Sequence, residues 1–325
     1  MKMNKRNVSA VLVAVFLCLC LPAQSMAADY PDKPITLVVP YSPGGGADSA
    51  ARVIAPALGT ELKQNVVIEN KAGASGSIGA SYVARSAPDG YTVLFDGSAF
   101  IINPVLRKLP YDAERDFIPV SQAISVPNIM VVASNSPFTS LNSFIDAARK
   151  NPGKYTFASY GPGSLAQMIG ELLKKQANVD IVHIPYKGGA PAIVDVMGGS
   201  VDTYFANAAS SLGYITGKKL KALAVTSATR MKELPDVPTM AEAGMKDISV
   251  LEENGFFLPA GTPSAIVAKL QLAIQNTLKK NEVKEKLDKL GLTPVGSSST
   301  DYAESIKAER KVWVEVVKAN RISLE

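Results

Sequence analysis

Apolar and polar positions along this chain change period repeatedly, and the changes divide it into short strands and longer helices. Residues 35–40 (Ile35-Thr36-Leu37-Val38-Val39-Pro40) form a nearly continuous β-branched run, which predicts a strand buried on both faces. The turn Ser42-Pro43-Gly44-Gly45-Gly46 leads into a small-residue apolar stretch, so a helix is expected over 48–62, capped by Asp48 or Ser49. Strands over 65–69 and 91–95, separated by the glycine and serine loop 73–79 and a helix to about Arg85, complete a βαβαβ unit. After Phe117-Ile118-Pro119 the order repeats, with a strand over 129–133, a helix over 140–150, a strand over 155–158, a helix over 165–176 and a strand over 180–184. A helix over 190–197 and strands near 201–205 and 220–225 follow. The repeat is one of architecture only, since no self-similar period accompanies it.

The last stretch reads as helix. Thr262-Pro263 is an N-cap followed by proline at the first helical position, and Ile266, Leu270, Ile274 and Leu278 recur every four residues along one face. Tyr302, Ile306, Trp313 and Val317 predict a final helix of the same kind. These helices need a sheet to cover, and the first unit's sheet is the expected one. The chain should therefore cross between two α/β lobes at least twice, which makes a hinge and a cleft.

The N-terminus changes the picture. Lys2, Lys5 and Arg6 precede an apolar run over 8–21 and the small-x-small site Ser25-Met26-Ala27, the pattern of a cleavable secretory leader over 1–27. The run falls short of the roughly 20 residues that span a bilayer. Both cysteines, Cys18 and Cys20, lie inside the leader, so the mature chain is expected to have no disulfide, thiol nucleophile or cysteine metal site. Lys5-Arg6 is not the arginine pair of the folded-export route, so folding is expected outside the cytoplasm. Without the leader, 31 lysines and arginines face 29 acids, and the formal charge drops from +5 to +2. A basic footprint for nucleic acid is not supported.

Three glycine-rich loops carry the candidate chemistry. Tyr41-Ser42-Pro43-Gly44-Gly45-Gly46-Ala47-Asp48-Ser49 joins a strand to a helix, where free N–H groups and the helix dipole suit an anion. It lacks the Gly-Lys-Ser/Thr ending of a phosphate loop, and its plain alternative is a tight turn. Gly73-Ala74-Ser75-Gly76-Ser77-Ile78-Gly79 offers hydroxyls and no charge, and Ser77 stands where an esterase elbow needs glycine after Ser75. Tyr160-Gly161-Pro162-Gly163-Ser164-Leu165-Ala166 fits Gly-x-Gly-x-x-Ala, but Val182-His183-Ile184 replaces the ribose-binding acid of a dinucleotide site. A third anion-accepting helix start fits it better. His183, the only histidine, cannot build a zinc site alone and reads as structural. The lysines over 270–290 alternate with Glu282, Glu285 and Asp288, as on a solvated helix face.

Taken in order, these residues resemble the periplasmic solute-binding receptors of tripartite tricarboxylate transporters, the Bug family. The matching runs are Tyr30-Pro31 with Lys33-Pro34-Ile35, Pro43-Gly44-Gly45 with Asp48 and Arg52, Glu69-Asn70-Lys71-Ala72-Gly73-Ala74 with Gly76, and Ala87-Pro88-Asp89-Gly90-Tyr91. Val182-His183-Ile184-Pro185-Tyr186-Lys187-Gly188, Leu234-Pro235-Asp236-Val237-Pro238-Thr239 and Pro259-Ala260-Gly261-Thr262-Pro263 continue the match. The resemblance implies a two-lobed α/β periplasmic binding protein of Venus-flytrap type. Lobe 1 would comprise 28–125 and 250–325, and lobe 2 126–249. It implies a non-enzymatic receptor without cofactor, metal or catalytic residues, acting as a monomer. A small carboxylated ligand would be passed to the transporter's membrane subunits.

Carried over by position, the resemblance places the carboxylate against Tyr41, Ser42, Gly45, Ala47, Asp48 and Ser49, and against Ala74, Ser75 and Ser77. Ser98 sits at the third strand end, with Ser159, Gly163 and Ser164 opposite and Tyr186, Lys187, Gly188 and Asn207 completing the cleft. Three positions depart from the family's usual residues: Gln167 in place of histidine, Ala206 in place of aspartate, and Glu253-Asn254 in place of an aromatic pair. A Glu253 lining the cleft would pair with a positive ligand group; a surface position is the alternative. A ligand sensor feeding a two-component system and an exported α/β hydrolase remain the other readings.

Overall fold

A computed structural model describes residues 30–322. The leader over 1–27, with its cleavage site, lies outside the described residues. One continuous sheet runs through the described chain in the order β2-β1-β3-β9-β4-β7-β5-β6, with β8 and the short β10 (Thr293–Pro294) also pairing β4. Its first half holds β1 (Ile35–Val39) between β2 (Val66–Asn70) and β3 (Thr92–Gly97), all parallel, with β9 (Leu251–Pro259) antiparallel to β3. In the second half, β5 (Thr156–Ser159) lies parallel between β6 (Val182–Pro185) and β7 (Thr203–Asn207), while β7 and β8 (Leu220–Val225) pair antiparallel with β4 (Phe117–Ala133). The result is a mixed α/β sheet flanked by helices.

β4 belongs to both halves. Up to Pro127 it pairs with β9, and from Asn128 it pairs with β7 and β8. The sequence shows only its end as a strand, because Pro119 and Pro127 read as breaks. The structure absorbs Pro119 at a register shift between Pro119 and Ser121, a bulge that leaves the strand continuous. The chain returns to the first half after β8, through β9, which the sequence reading missed. Its polar triplet Glu252-Glu253-Asn254 pairs with β4 throughout, and Asn254 pairs with Gly97 of β3 as well.

The C-terminal helices cover the first half as their periodicity requires. Along α8 (Ser264–Lys279) the residues Ile266, Leu270, Ile274 and Leu278 are all buried, and α10 (Ser299–Asn320) buries Tyr302, Ile306 and Trp313. Two boundaries differ from expectation. Pro263 is the cap residue itself, with extended backbone, while the Thr262 hydroxyl donates to Pro259 O at 2.8 Å instead of capping. The expected lysine-rich helix breaks at Lys280, so a separate α9 (Asn281–Asp288) follows.

Candidate functional site

Strand-to-helix junctions from both halves of the sheet converge. β1 runs through Tyr41 to Gly45 into α1 (Gly46–Leu62), which begins at Gly46 rather than Asp48 and has no side-chain cap. The Asp48 carboxylate sits in the first turn, 1% exposed, and accepts from Gly44 N at 2.8 Å, Arg52 Nε at 2.7 Å and Asn70 Nδ2 at 2.9 Å. Burial alone would raise its pKa, but these donors outweigh it and hold the carboxyl below its usual value. Asp48 is thus consumed in fixing the loop, not turned to a ligand. At a helix start, the N–H groups of Gly46 and Ala47 have no intrahelical acceptor.

The second loop is strained. From Gly73 to Gly76 all four residues have positive φ, including Ala74 at 46° and Ser75 at 51°. Left-handed backbone at non-glycine residues costs on the order of 1 kcal/mol each and persists only where neighbours over-determine it. Here Asn103 Nδ2 donates to Ser75 O at 3.1 Å, and Arg107 Nη2 and Ser77 Oγ donate to Ala74 O at 2.7 and 2.8 Å. Asn103 and Arg107 come from α3 (Ser98–Leu106) and the residue that follows it, an element the sequence reading lacked. Ser98, at its start, accepts from Glu253 N at 3.1 Å and is buried.

Opposite stand the second half's junctions. Ser164 caps α5 (Leu165–Ala177), accepting from Gln167 N, and the Gln167 side chain accepts from Gly163 N at 2.6 Å. Gly188 precedes α6 (Gly189–Gly198), and Asn207 caps α7 (Ala208–Thr216) through Oδ1 to Ala209 N at 3.0 Å. The Asn207 Nδ2 is buried without a partner. The two sides meet closely. The Ser75 hydroxyl donates to Pro162 O at 2.5 Å, and the Tyr41 and Tyr160 rings pack edge to face at 5.6 Å. A Cβ on Gly46 would lie 2.4 Å from Asn207 Cγ, one on Gly161 2.3 Å from Ser75 Oγ, and one on Gly188 2.1 Å from Ser42 Oγ. These glycines permit backbone approaches that no other residue allows.

Between the two sides remains a cavity of about 20 Å³, room for a single water-sized group. The β1 side contributes Tyr41, Gly45, Gly46 and Ala47; the other contributes Tyr160, Gly189, Tyr204 and Asn207, with Glu252 from β9. Tyr41 donates to Asp96 Oδ1 at 2.8 Å, and burial pushes the Asp96 carboxyl up to about 7, against the bonds from Tyr41 and Gly97 N. Burial likewise raises the Glu252 carboxyl.

Of the residues expected from sequence, Tyr41, Gly45, Ala47 and Asn207 line this cavity, and Ser42, Ser75, Gly163 and Gly188 stand where the loops touch. The side chains of Ser77 and Ser164 bond within their own loops, Asp48 is held by Gly44, Arg52 and Asn70, Ser98 accepts from Glu253 N on β9, and Ser49 is half-buried in α1. Ala74 contributes its carbonyl to the Ser77 and Arg107 bonds. The Tyr186 hydroxyl turns to Asp195 Oδ2 at 2.5 Å and Lys187 is exposed, so neither side chain reaches the cavity. Glu253 does not reach it either. Adjacent strand residues face opposite ways, and Glu253 lies near Tyr302 and Glu309 while Glu252 faces the cavity. Tyr204 and Glu252 were missed because nothing in the local sequence of a buried strand marks which of its polar residues faces a cavity.

The Ser159 hydroxyl lies 2.7 Å from His183 Nε2, the contact a hydrolase needs. Ser159 is fully buried, however, and its hydroxyl also bonds the Gly161 backbone at O and N. Burial lowers the His183 pKa to about 4, and among the described residues no carboxylate bonds its ring. The pair braces the Gly161 loop.

Comparison with known proteins fits this geometry. Protein BugT of Bordetella pertussis is 35% identical over 327 residues, covering 99% of this chain and 100% of its own. The solved structure of Rhodopseudomonas palustris Rpa4515 with adipate superposes with a TM-score of 0.88 at 35% identity, covering 91% of this chain and 99% of that one. MatC of the same organism with bound malate gives 0.83 at 31%, covering 89% and 100%. The solved structure of the periplasmic binding protein BugD gives a TM-score of 0.87 at 34% identity, covering 90% of this chain and 99% of that one. Residues 50–322 match the model of the tripartite tricarboxylate transporter family receptor, and the chain belongs to that family.

Proposed function

We propose that this chain is a periplasmic receptor that captures a small carboxylated compound between two lobes and presents it to the membrane subunits of a tripartite tricarboxylate-type transporter. The observation that carries the reading is the meeting, across one cavity, of helix starts from both halves of the sheet. Such starts supply backbone donors and positive dipole ends, which stabilise an anion without a cationic side chain. Relatives bound to adipate and malate support a carboxylate as that anion.

The two lobes correspond to 28–125 with 250–325 and to 126–249, supported by the division of pairing along β4 near Pro127. A cavity of about 20 Å³ is far below the roughly 300 Å³ of a small-molecule site, so the lobes open by hinge motion to admit ligand. The leader over 1–27 directs the chain to the periplasm, where it works as a monomer without metal or cofactor.

A thermal-shift screen of the mature chain, from Ala28 onward, against carboxylic acids and their neutral amides tests this. At a thousand times the dissociation constant a ligand adds about 4 kcal/mol, a rise of several degrees in melting temperature. An acid that shifts the transition while its amide does not is the expected result. Absence of a shift with every mono-, di- and tricarboxylate, after unfolding and refolding to strip carried-over ligand, would refute the reading.

A further inference from the structure

We infer that Glu252 makes this receptor select carboxylates that also carry an ammonium group, with the Glu252 carboxylate as the counter-ion of that group. The inference rests on the receptor reading above and names the ligand class of the same site.

Glu252 is 6% exposed and lines the inter-lobe cavity. Asn128 Nδ2 donates to Glu252 at a long 3.4 Å, and the Asn207 and Tyr160 side chains also stand toward it as neutral donors. Among the described residues its neighbours are neutral or acidic: Asn128, Asn207, Tyr160, Tyr204 and, behind Tyr41, Asp96. No cation acts on it. A carboxylate in such a place is costly unless a positive or donating group joins it. The cavity also holds donors for an anion: the starts of α1 and α6 bring backbone N–H groups at Gly46 and Gly189. Glu252, beside the rings of Tyr41, Tyr160 and Tyr204, suits a cation.

A ligand bearing only carboxylates would meet Glu252 as a like charge at close range, whereas a zwitterion satisfies both Glu252 and the helix starts. The alternative is a protonated Glu252 donating to a ligand carboxylate, which predicts the opposite selectivity.

Matched pairs differing by one ammonium group decide between them: aspartate with succinate, glutamate with glutarate, and 4-aminobutyrate with butyrate. They are titrated calorimetrically into the wild-type protein and into the Glu252→Gln and Glu253→Gln variants. The inference expects at least one pair in which the wild type binds the ammonium-bearing member at least 10-fold tighter. Glu252→Gln should abolish that preference, and Glu253→Gln, on the opposite strand face, should keep it. Preference for the plain acids, or an ammonium preference that survives in Glu252→Gln, overturns the inference while leaving the receptor intact. Failure of both members of every pair, and of every acid in the carboxylate screen, overturns the receptor reading and this inference with it. The wild-type comparison decides alone should Glu252→Gln fail to fold.

Discussion

Gly46→Ala separates closure of the cleft from stability of the fold. Gly46 is the first residue of α1 and its φ is not in the left-handed region, so alanine meets no backbone strain there. Helix propensity favours the change by up to about 1 kcal/mol. The added Cβ, however, would lie 2.4 Å from Asn207 Cγ, 2.5 Å from its Oδ1 and 2.8 Å from its Cβ. Asn207 cannot swing aside freely, since its Oδ1 caps α7. Losing that cap costs about 1 kcal/mol, and overpacking adds about 1 to 3 kcal/mol. The closed state should therefore lose about 2 to 4 kcal/mol, a loss of affinity of roughly 30- to 1,000-fold. Calorimetric titration with the tightest acid from the screen measures the affinity, and thermal denaturation without ligand measures the fold. The expected result is weakened binding with a melting temperature at or above wild type. Wild-type affinity in Gly46→Ala would refute the claim that these two loops close on the ligand.

Other substitutions test the remaining parts. Ser75→Ala removes the hydroxyl bond to Pro162 O across the cleft, and loss of about 0.5 to 1.5 kcal/mol should weaken binding by roughly 2- to 12-fold; an unchanged dissociation constant would show that the bond contributes nothing to closure. Asp48→Asn breaks the Arg52 ion pair inside the first loop and should lower stability by about 1 to 3 kcal/mol in urea denaturation, and a loss of affinity without a loss of stability would return Asp48 to direct ligand contact. The pH dependence carries opposing signs. Burial pushes Asp96 and Glu309 up to about 7, above their unfolded values near 4, so their contribution to stability is full below about pH 4 and is lost as pH rises toward 7. His183, lowered by burial to about 4, adds stability that is full above about pH 6.5 and is lost as pH falls to 4. Asp96→Asn should therefore flatten the fall in stability between pH 4 and 7 by up to about 4 kcal/mol, and a melting profile parallel to wild type would remove Asp96 from this balance.

What the sequence disclosed, and what it hid, follows from locality. Alternation and four-residue recurrence report the face a residue buries, so β1, α1 and the Ile266 to Leu278 stripe were legible. β4 was only half legible, since its prolines signal a break and only pairing with β9, far along the chain, keeps it extended. The glycine loops were visible as loops, and their resemblance to a family named the site. The mutual fit of Gly46 with Asn207 and Gly161 with Ser75 joins residues more than 80 positions apart and leaves no mark in either segment. Glu252 and Glu253 show the limit most sharply: without the strand register, nothing tells which of two adjacent acids faces the cavity.

The central claim is that one carboxylate is clasped by helix starts of both lobes at once. Hydrogen exchange followed by mass spectrometry, on the refolded protein with and without the tightest acid from the screen, tests it most directly. The account predicts added protection together in the segments over 44–48, 74–78, 161–166 and 188–191. Protection confined to one lobe, or absent from all four segments while the acid is bound, would contradict it.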